Sequence, residues 1–90
     1  MAPTVAEQRN EIRVAVGRYK RKVSSGFTKE ALAAICDSLD ADVEIDVLPK
    51  KGVMRAAIAE EVEGVDGSRD QGSAFRKAEL TAITAAVSSD

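Results

Sequence analysis

The chain contains no histidine, no tryptophan and only one cysteine, Cys36, among its 90 residues. Without histidine, the most common general acid or base of enzymes is missing. A single cysteine can form neither an internal disulfide nor a cysteine-based metal site, which favours a reducing, intracellular location. Because no histidine exists to activate its thiol, Cys36 is expected to be a small core residue rather than a nucleophile.

Aromatic residues are also scarce, since Tyr19, Phe27 and Phe75 make up only 3% of the chain. The hydrophobic fraction is still 44%, so the core must be built mainly from aliphatic side chains. This composition favours small packed helices over a sandwich or a sheet that stacks nucleobases. No apolar run resembles a signal peptide or is long enough to span a membrane, so we expect a cytoplasmic protein without a membrane partner.

The net charge of −2 conceals an uneven distribution along the chain. Residues 1–30 carry seven Lys or Arg against three acids (+4), residues 31–70 carry four against ten (−6), and residues 71–90 are balanced. Such a chain can present a basic surface to a polyanion beside an acidic, solubilising surface. The alternative is that the opposite charges pair across the fold, and the composition leaves both open.

The periodicity of apolar residues predicts a mainly α, small single domain of about four helices. One short extended segment is expected at 43–48, where apolar and acidic residues alternate. The expected parts are a basic N-terminal helix (1–25), a helix–extended–helix core (27–65), a loop (66–73), a C-terminal helix (74–87) and a frayed tail (88–90).

Several helix ends have recognisable capping residues. Thr4, Thr28 and Ser73 are the expected N-caps of the first, second and last helices. Phe27 is expected to pack against Leu32 as a hydrophobic staple. Within the first helix, Tyr19 falls on the apolar stripe, and Gly17 is expected to weaken the helix without ending it.

The carboxylates at positions 40, 42, 44 and 46 are spaced like those of a calcium-binding loop, but two key positions do not fit. Such a loop requires Gly where this chain has Ile45, and Glu where it has Lys51. The chain also has no glycine-rich phosphate loop and no nucleophile–base pair. We therefore expect no enzyme, no cofactor and no metal site.

Basic residues concentrate in two places that suit an anion. The first group lies in the second half of the predicted N-terminal helix and consists of Arg13, Arg18, Lys20, Arg21 and Lys22. The second group, Lys50, Lys51 and Arg55, lies at the start of a helix, where the macrodipole disfavours positive charge and an external anion would offset the cost. Alternatively, the first group is an ordinary solvated face and Lys50 and Lys51 neutralise the carboxylates upstream.

Two segments of the chain are similar to each other. The run FTKEALAAICDSL at 27–39 and the run FRKAELTAITAAV at 75–87 share Phe, Lys, Leu and Ile at matching positions. They are either the starts of two helix–extended–helix units or two amphipathic helices that are alike for general reasons. The second explanation is favoured, because two copies do not form a repeat array.

Residues 27–62 resemble the SAP-type helix–extended–helix family, which includes the related Rho N-terminal-like units. The matching positions are Thr28, Leu32 and Ile35 in the first helix, and Lys51, Met54 and Ile58 in a lysine-led second helix. Family members commonly bind DNA, and others bind RNA or proteins. The resemblance implies backbone contacts by Lys50, Lys51 and Arg55, with Lys29 as a neighbour. The connector departs from the family because it is longer, acidic and lacks a Gly before the lysines.

These features together predict a small, non-enzymatic accessory protein that binds nucleic acid, with DNA expected, through its phosphate backbone. Binding of this kind is electrostatic, weakly sequence-specific and strongly salt-dependent. A DNA-binding protein would be nucleoid-associated. The alternative is a protein interaction or self-assembly module, which docks a partner or forms a homodimer through its acidic centre or its Ala-rich last helix.

Overall fold

The computed structural model describes residues 4–21, 26–41, 43–44, 47–67 and 70–88. These residues form four α-helices, α1 (Val5–Ala15), α2 (Lys29–Ser38), α3 (Lys51–Glu61) and α4 (Lys77–Ser88), and no β-strand. The prediction of a mainly α domain of about four helices is therefore confirmed. Within this part of the chain, no helix is both long enough and apolar enough to cross a membrane.

Helix α1 is shorter than the predicted N-terminal helix, because it ends two residues before Gly17. Gly17 adopts a left-handed conformation with φ of 82°. Its N–H donates to the carbonyl of Val14 at 3.1 Å, and the N–H of Arg18 donates to the carbonyl of Arg13 at 2.6 Å. These two bonds form a Schellman motif, which favours glycine at the left-handed position. The prediction of a helix to residue 25 was therefore wrong at residues 16–21, and residues 22–25 lie outside the described part.

The predicted caps of the first two helices are confirmed. The hydroxyl of Thr4 accepts a hydrogen bond from the N–H of Glu7, and Glu7 Oε1 accepts one from the N–H of Thr4, which together form a capping box. The bond from the Thr4 N–H lowers the pKa of the Glu7 carboxyl. The hydroxyl of Thr28 accepts a hydrogen bond from the N–H of Ala31 at 3.2 Å. Both helix starts are thus determined by side chains within one turn.

Helix α4 does not use the predicted cap. The hydroxyl of Ser73 donates to Asp70 Oδ2 at 3.0 Å instead of meeting the helix. The helix begins after Arg76, whose N–H donates to Glu79 Oε1 at 2.8 Å. Ser73 was the wrong cap because α4 begins four residues beyond it, at Lys77.

The helices pack as two pairs, α1 with α4 and α2 with α3, and a smaller contact between α1 and α2 joins them. The core between them is aliphatic, apart from Phe27 and Phe75, which are 5% and 4% exposed. The matching apolar residues of the two similar segments are buried in this core, namely Phe27 and Phe75, Leu32 and Leu80, and Ile35 and Ile83, whereas the matching Lys29 and Lys77 are exposed. The radius of gyration, 11.8 Å, is close to the value of about 12 Å expected for a compact domain of this length.

Cys36 lies in this core, as predicted, with 1% of its surface exposed. Its thiol donates to the carbonyl of Met54 at 3.7 Å. Burial raises the pKa of the thiol to about 11. Cys36 is therefore a protonated packing residue at neutral pH.

The described residues of the connector between α2 and α3 are not helical, but only part of the predicted alternation holds. Asp40 ends α2 in a left-handed conformation with φ of 56°, and the N–H of Ala41 donates back to the carbonyl of Cys36 at 2.9 Å. Val43 packs partly against the core, whereas Val47 is 86% exposed. The apolar face expected along 43–48 is therefore wrong at Val47; Asp42, Ile45 and Asp46 lie outside the described residues.

Candidate nucleic-acid interface

Residues 18–21 leave α1 as a non-helical segment that is held at both ends. The Schellman bond described above fixes the N–H of Arg18. At the other end, Asn10 Nδ2 donates to the carbonyl of Arg21 at 3.0 Å, and the N–H of Arg21 donates to Asn10 Oδ1 at 2.9 Å. All four side chains of the segment are exposed. Hydrogen bonds to the backbone thus position the segment while its side chains face solvent.

Arg13 is buried beneath this segment, with only 2% of its surface exposed. Its guanidinium donates from Nη1 to Asn10 Oδ1 at 2.8 Å and from Nη2 to the carbonyl of Gly26 at 2.9 Å. Its Cζ atom also lies 5.3 Å from the ring centroid of Phe27. The expectation that Arg13 is a surface phosphate ligand is thus corrected, because its donors hold Asn10 and the backbone ahead of α2.

The exposed segment and the start of α2 enclose a cleft, the arginine cleft. It is lined by Arg13, Arg18, Tyr19, Arg21, Thr28 and Ala31. Its volume is about 210 Å³, below the range of roughly 300–1,000 Å³ that is typical of whole small-molecule ligands. None of the described lining residues is acidic. The cleft therefore suits a small anionic group, such as one phosphate of a larger molecule.

Positive charges are concentrated around this cleft. Burial lowers the pKa of the Arg13 guanidinium, and the nearby charges of Arg21 and Arg9 lower it further. Like charges at short range raise the free energy of the folded state. An anion bound in the cleft would offset this repulsion, so the local electrostatics favour an anionic ligand.

The remaining basic residues of the first group are placed differently. Lys20 lines two further clefts, one together with Glu7, Asn10 and Arg21 and the other with Glu7, Asn10 and Glu11. The two carboxylates there reduce its attraction for a phosphate. Lys29 is exposed directly after Thr28 and thus adjoins the arginine cleft, whereas Lys22 lies outside the described residues.

The second basic group belongs to the other helix pair, at the start of α3. Lys50 is the N-cap residue, but its side chain makes no capping hydrogen bond, and both Lys50 and Lys51 are exposed. Arg55 is directed to the loop that precedes α4, where its Nη1 donates to the carbonyl of Gln71 at 2.8 Å. Arg55 therefore holds a loop, and only the two lysines present their charges openly.

A further cleft, at the loop before α4, has the opposite character. Its volume is about 410 Å³, and its lining includes the carboxylates of Asp66, Asp70 and Glu79 beside Arg76. Asp70 accepts hydrogen bonds from the N–H of Gly72 and from the hydroxyl of Ser73. The loop thus has an acidic surface of its own, distinct from the arginine cleft.

The Ala-rich helix α4 already has a partner within the same chain. It packs along α1, and Leu80 and Ile83 are completely buried. At this contact the buried Gln8 donates from Nε2 to the hydroxyl of Thr81 at 2.6 Å. A homodimer through α4 would therefore use the residues that α1 leaves uncovered.

Two residues of the candidate interface could not be identified from the sequence. Asn10 is an ordinary polar residue of α1 until its bonds to Arg21 are seen, and Tyr19 fitted the apolar stripe of a longer helix. Gly17 was the only signal for either residue. If the helix ends at Gly17, the residues after it, including Tyr19, no longer belong to the apolar stripe of the helix.

A scan of protein-family models, a search of curated proteins and a search of solved structures found no match to this chain. The resemblance to SAP-type units therefore stays a prediction from residues 27–62. A function for this protein has to be inferred from its own side chains.

Proposed function

We propose that the protein is a small, non-enzymatic nucleic-acid-binding accessory protein that holds a phosphate backbone at the arginine cleft. The observation that carries this proposal is the convergence of Arg13, Arg18 and Arg21 on one cleft whose described lining has no acid. Arginine suits phosphate because its planar donors match the phosphate oxygens. DNA is the expected polymer, as it was from the sequence.

The two exposed arginines do the binding, and Arg13 supports them from below. Lys29 adjoins the cleft and extends the positive surface along α2. With about three phosphates neutralised, the logarithm of the binding constant should fall with the logarithm of salt concentration with a slope of roughly −2 to −3. Contacts of this type position a backbone and carry little sequence information.

The test compares two double variants that remove the same charge from different places. Binding of a fluorescently labelled oligonucleotide is followed by anisotropy at low and moderate salt. Arg18→Ala with Arg21→Ala should weaken binding about tenfold or more and flatten the salt dependence. The matched control, Arg76→Ala with Lys77→Ala at the start of α4, should change affinity less than about twofold. Absence of binding by the wild-type protein at low salt, or equal losses in both variants, would contradict the proposal.

A protein interaction module is the second candidate, and one observation favours it. Val47 and Val53 are 86% and 50% exposed, and Leu48 is also exposed, so apolar surface surrounds the start of α3. Exposed apolar clusters often mark protein contacts. Sedimentation over a concentration series would detect a self-associating form. Replacement of the three residues by Ser should abolish that association and leave the arginine cleft intact.

A further inference from the structure

Tyr19 is the most unusual surface residue of the protein. Its side chain is 88% exposed, whereas the two phenylalanines are almost fully buried. An aromatic ring on the surface leaves apolar area in water that the small core could have used. A structural role in packing therefore does not account for Tyr19.

The backbone on either side of Tyr19 is anchored by hydrogen bonds. The residue before it is fixed by the bond from the Arg18 N–H to the Arg13 carbonyl, and Arg21 is fixed by both of its bonds to Asn10. Tyr19 lines the arginine cleft together with Arg18 and Arg21. An exposed aromatic ring therefore stands beside cations on a short segment whose two ends are anchored.

We propose that the arginine cleft binds single-stranded nucleic acid, with one base stacked on the ring of Tyr19 and an adjacent phosphate held by Arg18 and Arg21. This inference rests on the proposed function and specifies its ligand. Every base has an aromatic face, so a stacking contact tolerates any sequence. Within a duplex those faces are covered by neighbouring base pairs, so an isolated surface ring can stack only on an unpaired base.

The protein carries its own probe for this contact, because Tyr19 is its only tyrosine and there is no tryptophan. Intrinsic fluorescence is therefore the emission of Tyr19 alone, and stacking on a base should quench it. The titration uses oligo(dT), oligo(rU) and a blunt-ended duplex of equal phosphate number, and the fluorescence is corrected for absorption of light by the nucleic acid. Quenching by both single strands should follow the same curve as anisotropy of the labelled strands.

Two variants of Tyr19 separate stacking from charge. Tyr19→Ala should weaken single-strand binding about tenfold but change duplex binding less than about twofold, and Tyr19→Phe should keep wild-type affinity. Both variants should fold normally, because the side chain is exposed. Unchanged affinity of Tyr19→Ala for single strands, or binding without quenching, would overturn the stacking contact and leave the backbone function standing. Failure of the wild-type protein to bind any of the three nucleic acids would instead overturn the proposed function itself.

Discussion

The arginine cleft and the start of α3 are two basic regions of the molecule, and each uses an arginine to hold a loop. Arg13 donates to the carbonyl of Gly26, and Arg55 donates to the carbonyl of Gln71. The first arginine is almost completely buried and supports a cleft with further cations at its rim. The second is only partly buried, and the lysines beside it project from an open helix start.

The difference indicates what converts positive charge into a binding site. At the cleft, hydrogen bonds from Asn10 and the end of α1 hold the backbone of Arg18 and Arg21, so little loop entropy would be lost on binding a phosphate. At α3 the exposed lysines also carry positive charge, and the arginine of that group, Arg55, donates to the loop before α4. Both regions expose cations, but at the cleft they line one concave surface with a buried arginine.

The largest expected effect comes from Arg13. Its replacement by Ala removes hydrogen bonds to Asn10 and Gly26 and the contact with Phe27, so we expect the free energy of unfolding to fall by about 3 kcal/mol. Arg13→Lys keeps the charge but not the forked geometry of the donors, so its free energy of unfolding should lie between those of the wild type and Arg13→Ala. Urea denaturation measures the effect, with Arg18→Ala as a surface control within about 0.5 kcal/mol. A loss below about 1 kcal/mol for Arg13→Ala would contradict the supporting role.

Asn10 should have the next largest effect. Asn10→Ala removes the bonds that hold Arg21 and one acceptor of Arg13, and we expect a loss of about 1.5 kcal/mol. Binding should also weaken, because Arg21 is no longer positioned. Asn10→Asp retains the acceptor and should cost less stability, yet its negative charge beside the cleft should weaken binding more. If both variants bind like the wild type, the preorganisation of the cleft is not what matters.

The equivalent change at α3 is Arg55→Ala. This side chain holds the carbonyl of Gln71 from a partly exposed position, so the expected loss of stability is about 1 kcal/mol. Nucleic-acid binding should be unaffected, because Arg55 is not among the residues that line the arginine cleft. Parallel denaturation and anisotropy measurements on the two variants sharpen the comparison. A drop in affinity with Arg55→Ala would place α3 in the interface, as the SAP-type resemblance implies.

Lys50 offers a change in the opposite direction. Lys50 is the N-cap residue of α3, and its side chain accepts no hydrogen bond from the backbone N–H groups of the first turn. Lys50→Ser supplies a capping hydroxyl and should raise the free energy of unfolding by about 0.7 kcal/mol. Lys50→Ala serves as the control that removes the charge alone. Equal stability of the Ser and Ala variants would count against the capping explanation.

The smallest effect is expected for binding by the lysines themselves. Lys50→Ala with Lys51→Ala removes two charges, as the arginine double variant does, but should reduce affinity less than about twofold because only long-range attraction is lost. Anisotropy at two salt concentrations measures it. A loss as large as that of Arg18→Ala with Arg21→Ala would show that the two regions bind together.

Much of the fold was predictable because its signals are local. Thr4 and Thr28 cap helices through bonds that span three residues. The spacing of Leu32 and Ile35 in α2, and of Met54 and Ile58 in α3, identifies the buried face of each helix. The scarcity of aromatic residues pointed to an aliphatic helical core. Gly17 was also visible in the sequence, but its meaning depended on whether the helix continued past it.

The candidate site was decided by the tertiary structure. The bonds from Asn10 to Arg21, from Arg13 to Gly26 and from Arg55 to Gln71 join residues 11, 13 and 16 positions apart, so no local pattern encodes them. The sequence by itself determined a small α-helical domain with two basic regions. Packing decided which of these cations are buried and which line a common cleft, and it left Tyr19 exposed. The physical reason is that the path of the folded chain determines which residues become neighbours.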